Sequence, residues 1–330
     1  MLAAWTPTYC PADRLETRTV ADPEPGVGEL LVDVTTSTVS AGDLRLRTAD
    51  FPGAVGVIGR LMFGWTAPRR KVQGTMFAGR VVQVGAGVHR FSVGDAVFGM
   101  VDDGAWAEKV VVKADGPVSH RPEGISDAAA AASPYGAHTA LHFLDKLAQV
   151  QAGERVLILG GSGGVGRFAI QIARHMGAHV TAVGSADTLA RMQQLGAHAV
   201  FDYRTSDYRQ SGARWDVIFD VADATHFADA RAALTPRGRY LTLYVSLQVL
   251  GQMVWTGLRG GQRLLFDVAM PSREDLDTVA ELLRQGAVAP VLSERFPLER
   301  IANAHAHAEQ NRHGNVVIEV ARPRRALGVA

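Results

Sequence analysis

The sequence predicts an α/β protein in which a β-rich unit is joined to a six-stranded, doubly wound parallel sheet. Three observations carry this prediction. A glycine turn sits between an apolar strand and an amphipathic helix at Arg155 to Gly177, strand and helix patterns alternate from there to residue 271, and β-branched runs separated by turn signals fill the first 120 residues. At 330 residues the chain is long enough for two cores.

In order along the chain, Glu29–Thr38, Gly79–Gly85 and Ala105–Val112 read as strands, with turn signals such as Val93-Gly94-Asp95 between them. Phe51 to Val72, with its glycines, Trp65 and Pro68, reads as a long connection or a helical insertion, either a lid or a packed surface helix. Phe51, Met62, Phe63 and Trp65 would give a neighbouring cleft an apolar, aromatic-tolerant wall. From Ser126 an alanine-rich, helix-favouring run interrupted at Pro134 leads into the glycine turn. Strands follow at 156–160, 179–183, 199–201, 216–220, 239–244 and 264–268, enough for a complete doubly wound sheet. Arg273–Gln285 is a helix stopped by Gly286, and the tail adds a helix and a final strand that such a sheet does not need. The expected organisation is therefore 1–121, then an inserted unit over 122–271, then a return to the first unit over 272–330.

Gly161-Ser162-Gly163-Gly164-Val165-Gly166 fits G-x-G-x-x-G in its proper setting, after strand Arg155–Leu159 and before a helix whose apolar positions recur from Val165 to Met176. Gly161 permits the tight turn, Gly163 lets backbone N–H groups approach a pyrophosphate, and Gly166 lets helix and strand pack closely. The first helical turn offers unpaired donors and the positive end of the helix dipole. This predicts a dinucleotide site. The next strand, His179–Val183, ends at Gly184-Ser185 with no carboxylate at its tip to accept from a ribose 2′-hydroxyl. Ser185, with Tyr203 and Arg204 after the third strand, would admit a 2′-phosphate, so NADPH is favoured over NADH, although Asp187 lies nearby.

Composition narrows the class. With 47% hydrophobic and 20% charged residues and a formal net charge of +1, nothing points to nucleic acid. Cys10 is the only cysteine, which excludes intrachain disulfides and cysteine-built metal sites. Neither a signal peptide nor a membrane span is read, since Leu241–Leu258 is interrupted by Gln248, Gly251 and Gln252; a cytoplasmic protein with no membrane partner is expected. His138 and His142 share a helix face but lack a third ligand, and His305 and His307 point to different faces, so no metal is expected at either pair.

In ordered segments over almost the whole chain, the sequence resembles the medium-chain dehydrogenase/reductase superfamily. These are GELLVDV, GDLRLR, GTMFAGRVVQVGAGVHRFSVGDAVFG, GAWAEKVVV, HTAL, VLILGGSGGVGRFAIQIARHMGA, LGAHAVFDY and the closing FPLERIANAHAH…GNVVIEV. The resemblance implies a GroES-like β-domain with an inserted Rossmann domain and a site in the cleft between them. It implies nicotinamide contacts from Thr139, from Phe266 and Val268, and from Asn315, and it places Asp43 beside the active site, where a loop-fixing hydrogen bond is expected ahead of acid–base work, with a similar role for Arg47. The alcohol dehydrogenases of this superfamily bind a catalytic zinc, and at the three ligand positions this chain has Ser40, Thr75 and Tyr135. Neutral hydroxyls are poor zinc ligands, so the match is to the zinc-independent branch of quinone oxidoreductases and enone or enoyl reductases.

Without a metal, hydride transfer to an already electrophilic acceptor is the easier reaction, because the developing enolate needs only hydrogen-bond donors. Ser40, Thr75 and Tyr135 either supply such donors, Tyr135 having the most acidic hydroxyl, or merely fill the volume left by zinc. The expected function is NADPH-dependent reduction of a quinone or α,β-unsaturated carbonyl. A zinc-free carbonyl or alcohol oxidoreductase and a non-catalytic NADPH-binding protein are the alternatives. A homodimer joined at sheet edges is expected, and Leu241–Val245 with the following LQVLGQMVW segment either forms that contact or belongs to the core.

Overall fold

The computed structural model describes residues 1–50, 59–61, 63–310 and 314–320, so Phe51 and Met62 lie outside the described residues. The strands are β1 (Leu2–Trp5), β2 (Glu16–Thr19), β3 (Glu29–Val39), β4 (Met76–Val84), β5 (Ala96–Met100), β6 (Lys109–Lys113), β7 (Val118–His120), β8 (Arg155–Leu159), β9 (His179–Gly184), β10 (Ala199–Asp202), β11 (Trp215–Asp220), β12 (Leu234–Thr242), β13 (Arg263–Leu265), β14 (Leu292–Pro297) and β15 (Asn315–Glu319). The helices used below are α1 (Ala41–Thr48), α2 (Asp127–Ala132), α3 (Pro134–Leu141), α4 (Gly164–His175), α5 (Leu189–Gln194), α6 (Phe227–Ala230), α7 (Leu247–Arg259), α8 (Arg273–Arg284) and α9 (Ile301–Gln310).

β3 is long and rich in Val and Thr, residues that suit a pleated, largely buried strand. It organises the first sheet, whose order is β14-β15-β3-β4-β5-β7 with β6 also paired to β3. β15, from the end of the chain, pairs antiparallel with β3, Val317 opposite Thr38, so the tail closes onto the sheet begun by the N-terminal segments. Leu30, Val32, Phe77, Trp106 and Ile318 fill its core.

The second sheet is parallel throughout, in the order β10-β9-β8-β11-β12-β13. Its central strands are almost wholly buried, as expected for a sheet covered by helices on both faces. This order reverses direction between β8 and β11, and ligands of such sheets bind outside the carboxyl ends of the strands at that point. Here those ends are Leu159, leading into the glycine turn, and Asp220. α8 joins the two units: Leu276, Val279 and Leu283 share a core with β8 and α4, while Asp277 accepts a hydrogen bond from Ser119 Oγ at 2.6 Å.

Of the two readings of Leu241–Val245, the structure supports the core. Leu241 lies in β12, between β11 and β13, and interior strands have both ladders filled, so the Leu241–Val245 segment is not a sheet edge. β12 also begins earlier than the sequence suggests, at Leu234, running through Pro236 and Gly238 beside a register shift between Trp215 and Val217 of β11. The LQVLGQMVW segment is the start of helix α7. Among the described residues no helix is long and apolar enough to cross a membrane.

Candidate active site

The glycine turn is built as the motif requires. A Cβ on Gly166 would collide with the carbonyl oxygen of Gly160 and lie 2.8 Å from Gly161 Cα, so only glycine lets α4 start this close to the strand. Gly163 is the N-cap of α4 and provides no side-chain cap, while a Cβ on Gly164 would meet nothing within 4 Å. The first helical turn thus faces open space with its N–H donors uncapped, which suits an anionic ligand. Beside it a cleft of about 320 Å³ is lined by Ser162, Arg167, Asp187, Thr188, Arg191, Met192 and Leu195.

Two guanidiniums bound this cleft. Arg167 is buried, donating to the carbonyl oxygen of Ser162 at 3.1 Å and to Asn315 Oδ1 at 2.8 Å. Burial first, and the nearby charge of Arg191 second, bring its pKa down to about 10. Asn315 in turn donates to the carbonyl oxygen of Ala132 at 2.6 Å, linking β15, α2 and the glycine turn. Ser185 accepts from the N–H of Thr188 at 2.8 Å through its carbonyl, which turns the chain after β9. Tyr203 is exposed and carries Arg204 stacked on its ring at 5.5 Å; neither lines the cleft, and the arginines that do are Arg167 and Arg191. Those two follow no periodic signal in the sequence.

Tyr135 lies where the units meet. Gly136, its neighbour in α3, packs so tightly on α4 that a Cβ there would collide with Phe168 and lie 2.7 Å from the carbonyl oxygen of Gly164. On its other side the Tyr135 ring would stand 3.8 Å from a Cβ on Gly42. Burial pushes its pKa up, Arg45 pulling against this and Asp43 and Tyr244 adding to it, so the phenol keeps its proton at neutral pH. Thr139, one turn on, donates to the carbonyl oxygen of Tyr135 at 2.7 Å.

Asp43, 1% exposed, holds the centre of the GroES-like side. Its Oδ2 accepts from Ser40 Oγ at 2.6 Å and from the Ser40 N–H at 2.7 Å, its Oδ1 accepts from Thr75 Oγ1 at 2.9 Å, and with Ser40 it forms a capping box on α1. Burial raises the Asp43 pKa, and these hydrogen bonds partly offset it. The structure therefore brings Ser40, Thr75 and Asp43 into one cluster whose two hydroxyl protons point at the carboxylate rather than outward. Arg47, also buried, pairs with Glu309 of α9. Phe266 is half-buried and Val268 exposed after β13, with the Val268 N–H donating to Asp267 Oδ1 at 2.8 Å.

His142 Nε2 meets Asp267 Oδ2 at 2.8 Å, and His138 Nδ1 lies 3.4 Å from Asp275 Oδ2, so the two histidines face different carboxylates. Among the described residues no group of three or more His, Cys, Asp or Glu converges as a metal-binding set.

Comparison with known proteins agrees with this architecture. An alcohol dehydrogenase GroES-like domain matches residues 26–123 and a zinc-binding dehydrogenase domain matches residues 195–318. The zinc in the second description finds no fit here, because Ser40, Thr75 and Tyr135 offer neutral hydroxyls and two of these are engaged by Asp43. The chain is 30% identical to a chloroplastic quinone-oxidoreductase homolog of Spinacia oleracea, over 93% of this chain and 94% of that one. It is 33% identical to the mitochondrial NAD(P)H oxidoreductase RTN4IP1 of Bos taurus, over 74% of this chain and 69% of that one. In fold it is similar to the quinone oxidoreductase of Coxiella burnetii (TM-score 0.84, 23% identity, 97% of this chain and 99% of that one). It is similar likewise to the CurK enoyl reductase (TM-score 0.83, 24% identity, 97% and 99%). The chain is an oxidoreductase of the medium-chain dehydrogenase/reductase superfamily, belonging with its quinone-oxidoreductase-type members.

Proposed function

We propose that this protein reduces a quinone or an α,β-unsaturated carbonyl compound with NADPH, without zinc. The observation that carries the reading is the hydroxyl set at the junction of the units: Ser40 and Thr75 directed at Asp43, and Tyr135 beside the glycine turn with its phenol protonated. When bound, reduced nicotinamide supplies a hydride. The residues of this chain do the rest. The uncapped start of α4 receives the diphosphate, and Arg167 and Arg191 favour the extra charge of a 2′-phosphate, two like charges beside one cleft being relieved by an anion. Thr139, Phe266, Val268 and Asn315 would flank the nicotinamide, and Tyr135 holds a proton at Oη toward the acceptor oxygen.

Steady-state assays with a quinone, an enone and a simple ketone, each with NADPH and NADH, test this. Reduction of the first two with NADPH, unaltered by chelator, is the expected result; activity confined to the ketone overturns it. The reading takes the protein as cytoplasmic and as a homodimer. The exposed apolar side chains Leu247, Leu250, Val254 and Leu258 of α7 support a second copy at that face, which sedimentation of the purified protein checks.

A further inference from the structure

We propose that Arg45 supplies the positive charge that stabilises the oxyanion developing on the acceptor; this rests on the reading of the protein as a quinone or enone reductase. An inventory of donors at the junction leads there. The hydroxyl protons of Ser40 and Thr75 go to Asp43, and Trp106 Nε1 donates to the carbonyl oxygen of Thr38. That leaves the phenols of Tyr135 and Tyr244 and the Arg45 guanidinium, and of these only the guanidinium carries a positive charge.

Arg45 projects from α1 two residues beyond Asp43 and is exposed. Its guanidinium stacks over the ring of Tyr244 at 5.6 Å, with Nη2 3.5 Å from Tyr244 Oη. Tyr244 follows β12 in the other unit, at the carboxyl end of the sheet where ligands of such sheets bind. A cation–π contact leaves the N–H groups of a guanidinium available, and the long contact to Tyr244 occupies one donor of five at most. Among the described residues no carboxylate lies within ion-pairing distance of Arg45. Its field reaches the neighbouring phenol, lowering the Tyr135 pKa against the effect of burial. An unpaired cation from the first unit, set beside two tyrosines of the inserted unit, is the arrangement an anionic oxygen requires.

The electron flow is as follows for an enone. Hydride forms a C–H bond at the β-carbon with both of its electrons, oxidising the nicotinamide. The C=C π pair shifts to join the α-carbon to the carbonyl carbon, and the carbonyl π pair becomes the third lone pair of an enolate oxygen. Arg45 donates hydrogen bonds to that oxygen through its guanidinium N–H groups. Water protonates the α-carbon and the carbonyl reforms. With a quinone the product before protonation is the hydroquinone monoanion, stabilised in the same way.

The test separates this role from the reductase reading. 4-Nitrophenol, whose phenolate is coloured and mimics an enolate, is titrated into the full-length protein with and without NADP⁺. Wild type is expected to bind the phenolate about tenfold or more tighter than Arg45→Gln, with partial recovery in Arg45→Lys and an unchanged melting temperature. In turnover, Arg45→Gln is expected to lose about 10²-fold in kcat on the enone with little change in KM or in the Kd for NADPH, the scale typical of one lost oxyanion donor. Equal phenolate binding by Arg45→Gln and wild type overturns the proposal, as does a wild type that binds only the neutral phenol or neither form. A wild type that reduces no acceptor sinks the reductase reading, and the phenolate titration still decides whether Arg45 holds an anionic oxygen.

Discussion

Thr75 Oγ1 donates to Asp43 Oδ1 at 2.9 Å, in the place where metal-dependent relatives are expected to hold a zinc ligand. The pair is internal support for the loop that begins α1, and Asp43 is its hub. Replacing Thr75 by Val keeps the shape of the side chain and removes one donor from a buried carboxylate. The expected loss of stability is about 1–3 kcal/mol, the cost of an unsatisfied buried acceptor, read from urea denaturation. Ser40→Ala removes both a donor and the N-cap and is expected to cost at least as much. A Thr75→Val protein as stable as wild type would show that this contact contributes nothing.

The same carboxyl gives a pH signature. Burial raises the folded-state pKa of Asp43 above its unfolded value near 3.9, so the folded protein binds the proton more tightly than the unfolded chain. The stabilising contribution is complete below the unfolded pKa and is lost as pH rises through the folded one. Asp43→Asn removes this titration. Plotted against pH from about 4 upward, the stability of wild type relative to Asp43→Asn is expected to fall and then level off. Parallel curves across that range would mean that Asp43 does not titrate as its burial requires.

Tyr135 is the junction hydroxyl not directed at Asp43. Since burial keeps its phenol protonated, Tyr135→Phe is expected to lower kcat/KM for the enone by about 10²-fold, within the usual range for one lost oxyanion donor. The ratio of wild type to variant should stay constant through neutral pH, because no ionisation of the phenol intervenes. An unaltered kcat/KM removes Tyr135 from the chemistry.

Much of this fold was legible because its signals are local. A strand, six residues with four glycines and an amphipathic helix identify the dinucleotide turn from a single stretch, and β8 and β9 fall within one residue of where periodicity puts them. β12 starts before its apolar run, because the sheet carries the strand through Pro236 and Gly238, residues that weaken a strand pattern, beside a register shift. The side-chain network was less legible for a physical reason. Ser40, Asp43 and Thr75 stand out as residues, but which way a hydroxyl proton points is decided by what lies across the gap, here a carboxylate more than thirty positions from Thr75. Arg45 and Tyr244, or Arg167 and Asn315, meet only because the tail and the β12 exit return to the first sheet.

Gly136 tests how closely that junction is fitted. Gly136→Ala would drive a methyl group into Phe168 and the carbonyl oxygen of Gly164, forcing α3 off α4 and shifting Tyr135 with it. Overpacking of this kind costs typically about 1–3 kcal/mol. A lower melting temperature together with weaker NADPH binding is the expected pairing, since the collision reaches the glycine turn itself. Unchanged affinity for NADPH in a destabilised variant would separate the helix contact from the cofactor site.

Arg191 offers the most direct test of the choice between NADPH and NADH. It stands exposed at the rim of the cleft beside the glycine turn, near enough to Arg167 to depress that residue's pKa, so the two like charges repel, with the Asp187 carboxylate also in the lining. A 2′-phosphate relieves the repulsion and the ribose hydroxyl of NADH does not. Arg191→Gln is therefore expected to weaken NADPH binding about tenfold while changing that of NADH little, as read by fluorescence titration of each nucleotide. Because Arg191 is exposed, the NADPH advantage of wild type should shrink between low and high salt, and that of the variant should be less sensitive. Equal losses for both nucleotides would place Arg191 on the shared diphosphate instead, and no loss for either would leave Arg167 as the charge that meets the phosphate.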